Sequence, residues 1–263
     1  MNEEHWFRVL RNGAHHYDEN LSRLKELLVA NRGYVWERPV GEDVILLLSG
    51  GMDSVVLADV LLREWDCRVV LMHFLRGARS QKWEEASFDY FCDFYRNRYP
   101  KQVLDCVKVS LEVPLRLHRE FMDSARQKVM GLPLRNATMW FNAMAQAVFL
   151  SGKWGRTIRT VVTGSVGEDD TSPESGLLAV LAATVATCCC LGMWTYQVSA
   201  PFIDGTLGRK WTKVDVIEYS ENHSIPLDRT RSCFEDNSQP CGKCLGCTNR
   251  DKAFSLYAQR SAT

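Results

Sequence analysis

The stretch Val44-Ile-Leu-Leu-Leu-Ser-Gly-Gly-Met-Asp-Ser-Val-Val-Leu-Ala58 decides the fold. Val44–Leu48 is short, uncharged and apolar on both faces, as a strand in the middle of a parallel sheet must be. Ser49-Gly-Gly-Met-Asp-Ser54 follows, and then an apolar helical pattern from Val55 to Leu62. Strand, glycine turn and helix together offer backbone N–H groups and a helix N-terminus to an anion. Gly50 and Gly51 can take positive φ and admit an oxyanion to the backbone. Ser49, Asp53 and Ser54 are expected to cap the first turn. The lysine of a Walker A loop, which grips the β- and γ-phosphates, is absent.

Outward from this unit the same alternation continues. Strands are predicted at Arg68–Phe74, Gln102–Ser110, Arg159–Thr163 and Tyr196–Pro201. Helices are predicted at Lys82–Arg98, from Leu115 to Met130, through Met139, Ala143 and Phe149, and at Lys213–Ser220 behind a Thr212 cap. The pattern predicts an α/β fold, a doubly wound parallel sheet covered on both faces. Ligands of such sheets sit outside the carboxyl ends of the strands. Here those ends are the loops from Leu75 to Gln81 and from Gly164 to Asp170.

At 263 residues one large domain with a small appendage is expected. The divisions fall at 1–40 (a helical extension), 41–225 (the nucleotide domain) and 226–263 (a cysteine tail). In the extension Asp18 is expected to cap a helix lined by Leu21, Leu24, Leu27 and Leu28. His5, His15 and His16 have no acidic or thiol partner at ligand spacing and are assigned no metal. Lys and Arg total 32, matching 32 Asp and Glu, so the basic footprint of a nucleic-acid binder is missing. Met1-Asn-Glu-Glu-His5 has no signal-peptide pattern, and ten cysteines then point to reduced thiols and metal in the cytoplasm. Ser175–Tyr196 carries no charge but is diluted by Thr184, Thr187, Gly192 and Thr195, with no flanking cationic cluster. It predicts no membrane span. A buried helix at Gly176–Leu191 is expected instead, packed against its copy in a two-fold dimer. Cys188, Cys189 and Cys190 point to different helical faces and cannot share one ion.

The tail holds Cys233, Cys241, Cys244 and Cys247, the last three as C-x-x-C-x-x-C with Gly242 and Gly246 easing the turns. Four thiolates can close a tetrahedral Zn²⁺ site of structural type. An iron–sulfur cluster also takes four cysteines and stays open as an alternative.

The loop Ser49–Ser54 resembles the PP-loop of the ATP pyrophosphatases, enzymes of the adenine nucleotide α hydrolase-like fold that cleave ATP between the α- and β-phosphates. Loop and tail together resemble the 7-cyano-7-deazaguanine synthase family, QueC. The tail matches at Ser232-Cys233, Cys241-Gly242, Cys244, Cys247, Arg250 and Ala253-Phe254. Pro133-Leu-Arg-Asn136 resembles the family's P-x-R-N, and Lys213-Val-Asp215 its late helix start. The resemblance covers about residues 43–256. It implies that 7-carboxy-7-deazaguanine attacks ATP to give an acyl-adenylate and that ammonia then forms the amide. A second ATP converts the amide to the nitrile. It also implies that Ser49, Gly50, Gly51, Asp53, Ser54 and the Gly164 loop hold ATP, with Mg²⁺ as counter-ion. Asp53, Ser54 and Lys213 would serve the chemistry, with Lys213 neutralising the leaving pyrophosphate or the adenylate. Arg135, Asn136, Asp170 and Glu174 would hold the deazaguanine, the two carboxylates reading its N–H edge.

The departures lie beside the substrate. Where the family reads Y-G-Q after the second strand, this chain has Arg76-Gly77-Ala78. Where it reads D-x-x-x-Y-P-D, the chain has Asp170-Thr-Ser-Pro-Glu174. A more open pocket mouth follows, and with it an amine larger than ammonia. QueC-like proteins in anti-phage gene clusters, where a deazaguanine is joined to another macromolecule, suggest a protein acceptor. Alternatives are the ordinary ammonia-using synthase, a PP-loop tRNA-modifying enzyme and a non-catalytic nucleotide-binding subunit. Balanced charge and a single compact thiol quartet argue against the tRNA enzyme, and the intact loop argues against the inert subunit.

Overall fold

The computed structural model describes residues 1–113, 118, 121–170 and 172–261, with no side-chain placement for His15. Five strands run β1 Asp43–Leu47, β2 Arg68–Leu75, β3 Val103–Ser110, β4 Ile158–Val162 and β5 Gln197–Ser199. All pair in parallel in the order β3-β2-β1-β4-β5. The order reverses between β1 and β4, which opens a crevice at their carboxyl ends. The doubly wound expectation is met, and each predicted strand lies within two residues of an observed boundary.

Strand alternation sends β1 into two cores. Val44 and Leu46 join the cluster under α3 (Met52–Asp59), α4 (Gln81–Arg98), α8 (Lys213–Asn222) and α9 (Leu245–Ser261). Ile45 joins the cluster under α6 (Arg135–Trp154) and α7 (Leu177–Leu191). Full burial of each such side chain stabilises by about 1.5–3 kcal/mol. Beyond Asp59, α3 widens into a π-helical turn over Val60–Glu64. Of the helix expected from Leu115 to Met130, the structure shows α5, Ser124–Met130; residues 114–117, 119 and 120 lie outside the described residues. So do the last two positions of the expected tail.

The N-terminal segment folds as α1 (Glu3–Gly13) and α2 (Tyr17–Arg32). Two details differ from expectation. The N-cap of α2 is His16, which places Asp18 in the first turn, and Leu27 is exposed while Leu28 is fully buried. The cause is that α2 lies across α7, and this contact sets which stripe is inward. Arg32 donates to the Trp194 and Tyr196 carbonyls at 3.2 and 2.9 Å, and Trp36 Nε1 donates to Val198 O at 2.9 Å. The apolar run of α7 is thereby covered within the chain. Its exposed residues are the small Ala182, Cys189 and Cys190, and α2 covers part of its apolar face. Among the described residues, no helix is long and apolar enough to cross a membrane.

Candidate active site

The crevice between β1, β2 and β4 holds a cleft of about 260 Å³, with Ser49, Gly51, Asp53, Ser54, Gly164 and Arg135 among its lining residues. Gly51 is the N-cap of α3 and uses no side chain for it. The expected caps are spent inside the loop. Ser54 Oγ donates to Gly51 O at 3.1 Å and lies 3.0 Å from Ser49 Oγ, which accepts from Gly51 N–H at 3.2 Å. The serines hold the loop, while the free N-terminus of α3 faces the cleft.

Three neighbours clamp the loop from outside. Gly50 has φ +81°, and a Cβ there would meet Ser87 Cβ at 2.9 Å and Glu84 O at 3.0 Å. Only glycine combines that φ with that closeness. Its carbonyl accepts from Ser87 Oγ at 2.8 Å and from Arg231 N–H at 2.8 Å. From β4, Gly164 comes so near that a Cβ would sit 3.0 Å from Ser54 N. The backbone of the cradle is thus fixed from α4, β4 and the C-terminal segment.

Beside the loop, Lys213 Nζ pairs with Asp53 Oδ2 at 2.5 Å across 160 residues of chain. Thr212 positions the lysine through a capping box: its N–H donates to Asp215 Oδ2 at 2.7 Å. Burial lowers the Lys213 pKa, but Asp53, Asp169 and Glu168 outweigh it and hold the ammonium above its usual value. Asp53 Oδ1 is buried without a hydrogen-bond partner. Asp169 also lines the cleft, and burial pushes its carboxyl up against the pull of Lys213.

At the other end Arg76 donates to Glu84 Oε1 at 2.8 Å, and Ser80 Oγ to the same oxygen at 2.6 Å. Arg135 Nη2 donates to Glu174 Oε2 at 3.0 Å. Burial lowers the Arg135 pKa and raises that of Glu174, and each partner opposes the shift of the other. Leu47, Met72, Phe74, Met139 and Trp140 form apolar walls around these pairs.

In the tail, all four cysteine Sγ atoms lie within 4.8 Å of one another. Cys244 Sγ is 3.6 Å from Cys247 Sγ and 3.9 Å from Cys233 Sγ, and Cys241 Sγ is 3.9 Å from Cys247 Sγ. Zinc–sulfur bonds of about 2.3 Å in a tetrahedron require sulfur separations of about 3.8 Å. Backbone N–H groups of Lys243 and Cys244 pull the Cys241 thiol down to about 6, favouring thiolate. Gly246 packs where a Cβ would strike Ser232 O, at 1.9 Å. The donor set and spacing fit one metal ion.

The profile described as Queuosine biosynthesis protein QueC matches residues 43–258, from the first residue of β1 into α9. The chain belongs to the QueC family. It is therefore an ATP-dependent enzyme of the PP-loop pyrophosphatase type. Among curated QueC relatives, 7-cyano-7-deazaguanine synthase 1 of Mesorhizobium japonicum is 27% identical over 226 residues, 81% of this chain and 89% of its own. The 7-cyano-7-deazaguanine synthase of Allorhizobium ampelinum is 25% identical over 221 residues, 81% and 88% of the two chains. Of solved structures, the U34-tRNA thiolase NcsA from Methanococcus maripaludis with its [4Fe-4S] cluster aligns at 13% identity and TM-score 0.41 over 91% of this chain and 72% of that one.

Against this QueC frame the sequence expectations sort cleanly. Ser49, Gly51, Asp53, Ser54, Gly164, Arg135 and Asn136 line one cleft, Gly50 is its clamped corner, and Lys213 reaches it through Asp53. Asp170 does not line it. That carboxylate pairs with Lys210 and accepts from the first N–H of α7, Leu177 N, at 3.3 Å, while its neighbour Asp169 faces the cleft. Glu174 does not line the cleft and reaches it through Arg135. Ser87, Arg231 and His73 carried no sequence signal. Each is a lone residue brought in by packing of α4, the tail or β2.

Proposed function

We propose that the chain adenylates 7-carboxy-7-deazaguanine with ATP and passes the acyl group to an amine. The observation that carries this is the Lys213–Asp53 pair beside the open N-terminus of α3, in a cleft whose other end is apolar and flanked by paired arginines. The substrate carboxylate attacks the α-phosphorus, the α–β bond breaks and pyrophosphate leaves. Lys213, kept charged by its acidic neighbours, neutralises the charge gathering on the leaving group. Asp53, with its unpartnered Oδ1, and Asp169 are the carboxylates placed to hold Mg²⁺ with the phosphates. The amine nitrogen then attacks the acyl carbon, sheds a proton, and AMP leaves. In the tail, the sulfur spacing favours one structural zinc over a cluster that would set iron and sulfide between the thiolates.

The amine belongs, in this proposal, to a protein partner in an anti-phage setting. Two features support it. Arg76, which pairs with Glu84, and Ala78 stand where the family has tyrosine and glutamine. The helix α6, which starts at the cleft with Arg135, exposes Leu134, Phe141 and Phe149, an apolar stripe open to a partner. Family membership favours the alternative, in which ammonia is the amine and a free nitrile is made. Incubation with ATP, Mg²⁺, 7-carboxy-7-deazaguanine and ammonia, without a partner, separates them. AMP and pyrophosphate without multiple-turnover nitrile is the expected result. Efficient production of free 7-cyano-7-deazaguanine would return the chain to the ordinary synthase.

A further inference from the structure

His73 sits near the end of β2, is 2% exposed and lines the cleft. Its Nδ1 lies 2.9 Å from Leu48 O, the carbonyl that leads directly into Ser49. A carbonyl only accepts, so Nδ1 carries the proton in the neutral ring and Nε2 presents a lone pair. Phe88 of α4 packs against the ring at 5.1 Å between centroids. The charged groups around it are Glu84 and Glu85 of α4 and Arg76 from the loop after β2; burial, the largest influence, lowers the imidazole pKa below its usual 6.5. Nε2 is buried with no hydrogen-bond partner. A buried acceptor left bare is costly, which is why most such groups are matched by something. This one belongs to a residue that walls a ligand cleft, beside the apolar residues Met72 and Phe74.

We propose that His73 is a specificity-determining residue whose Nε2 accepts a hydrogen bond from an N–H group of a fused heteroaromatic ring bound at the β2 end of the cleft. The inference rests on the functional reading above, because that reading supplies two such rings, the adenine of ATP and the deazaguanine. The adenine offers its exocyclic NH₂, and the deazaguanine an exocyclic NH₂ and ring N–H groups. The apolar walls suit a flat ring, and the fixed tautomer gives its edge a single acceptor to meet. Rings that present only acceptors at that edge would face an unmatched lone pair and be rejected.

The test uses two substitutions that separate the two nitrogens. In His73→Asn the side-chain amide can replace Nδ1 and keep the bond to Leu48 O, but nothing reaches the Nε2 position. In His73→Gln the amide oxygen reaches that position and restores an acceptor. Dissociation constants for ATP and for 7-carboxy-7-deazaguanine are measured separately by calorimetry on full-length protein, with thermal midpoints alongside. The expected result is that His73→Asn weakens one of the two ligands by about tenfold, leaves the other unchanged and keeps the midpoint, while His73→Gln recovers most of the loss. The ligand that weakens identifies the ring. Wild-type affinity for that ligand stays level down through pH 6.5 and falls only as the pH drops through the lowered imidazole pKa and Nε2 is protonated; the glutamine variant shows no such fall. Wild-type affinity for both ligands in His73→Asn, or equal losses in both variants, overturns the proposal. A wild type that binds neither ligand overturns the functional reading and this inference with it.

Discussion

At the α3 end of the cleft, side chains hold backbone, and one ion pair stands beside the open helix N-terminus. Ser49 and Ser54 tie the loop to itself, Ser87 and Arg231 tie it to its surroundings, and Lys213 pairs with Asp53. At the α6 end the ion pairs are set among apolar side chains. Arg76 and Arg135 are each already paired with a carboxylate, Glu84 and Glu174, between apolar walls. The first arrangement suits a step in which charge appears on a leaving phosphate, because preorganised groups need no rearrangement when it does. The second suits recognition of a mostly neutral ring by shape and a few matched hydrogen bonds. In the proposed function the first end carries the phosphate chemistry and the second the choice of ring.

The largest effect should come from the α3 end. Asp53→Ala removes the partner of Lys213 and a cleft carboxylate, and pyrophosphate release should fall about 10²–10³-fold with the thermal midpoint preserved. Release within tenfold of wild type would break the division between the two ends. Next comes the tail, which the structure links to the same end: Arg231 N–H and Arg229 O both reach the Gly50–Ser87 clamp. Cys244→Ser, or chelation of the metal, should therefore lower the thermal midpoint by several degrees and weaken ATP as well. Loss of stability with ATP affinity intact would confine the tail to scaffolding.

Glu174→Gln tests the α6 end. It should raise KM for 7-carboxy-7-deazaguanine about tenfold and leave KM for ATP within twofold. A stability loss of about 1 kcal/mol is expected, because Arg135 stays partly exposed and solvent screens the lost pair. The smallest effect concerns the support of Lys213. Burial pushes the Asp215 carboxyl up, but Arg209, the N–H and hydroxyl of Thr212, and Arg260 outweigh it and hold it well below its usual 3.8. A depressed carboxyl stabilises the fold fully above pH 3.8, and that contribution is lost as the pH falls through the folded value. Asp215→Asn should cost about 1 kcal/mol at neutral pH and flatten the acid limb of the stability profile. An unchanged acid limb would contradict the capping-box assignment.

How legible the two ends were in the sequence follows the same division. The loop Ser49–Ser54 and the cysteine tail are local devices, with spacing in the chain matching spacing in space, so both could be placed without coordinates. Lys213 was reached only through the family resemblance, since 160 positions separate it from Asp53. Asp170, expected at the substrate, is turned toward Lys210 and the Leu177 N–H, and the 3₁₀ turn Gly167–Asp169 brings Asp169 to the cleft instead, a placement no spacing in the chain signals. For α7, a sequence pattern tells that a face is covered and not by what. Near α2 the answer lay in Arg32 and Trp36, each acting more than 150 positions away.

The most direct test of the account is exchange of labelled pyrophosphate into ATP. Exchange is expected to require 7-carboxy-7-deazaguanine and Mg²⁺, to need no amine, and to disappear in Asp53→Ala. Cleavage of ATP to ADP and phosphate, or exchange that proceeds equally well without the deazaguanine acid, would contradict it.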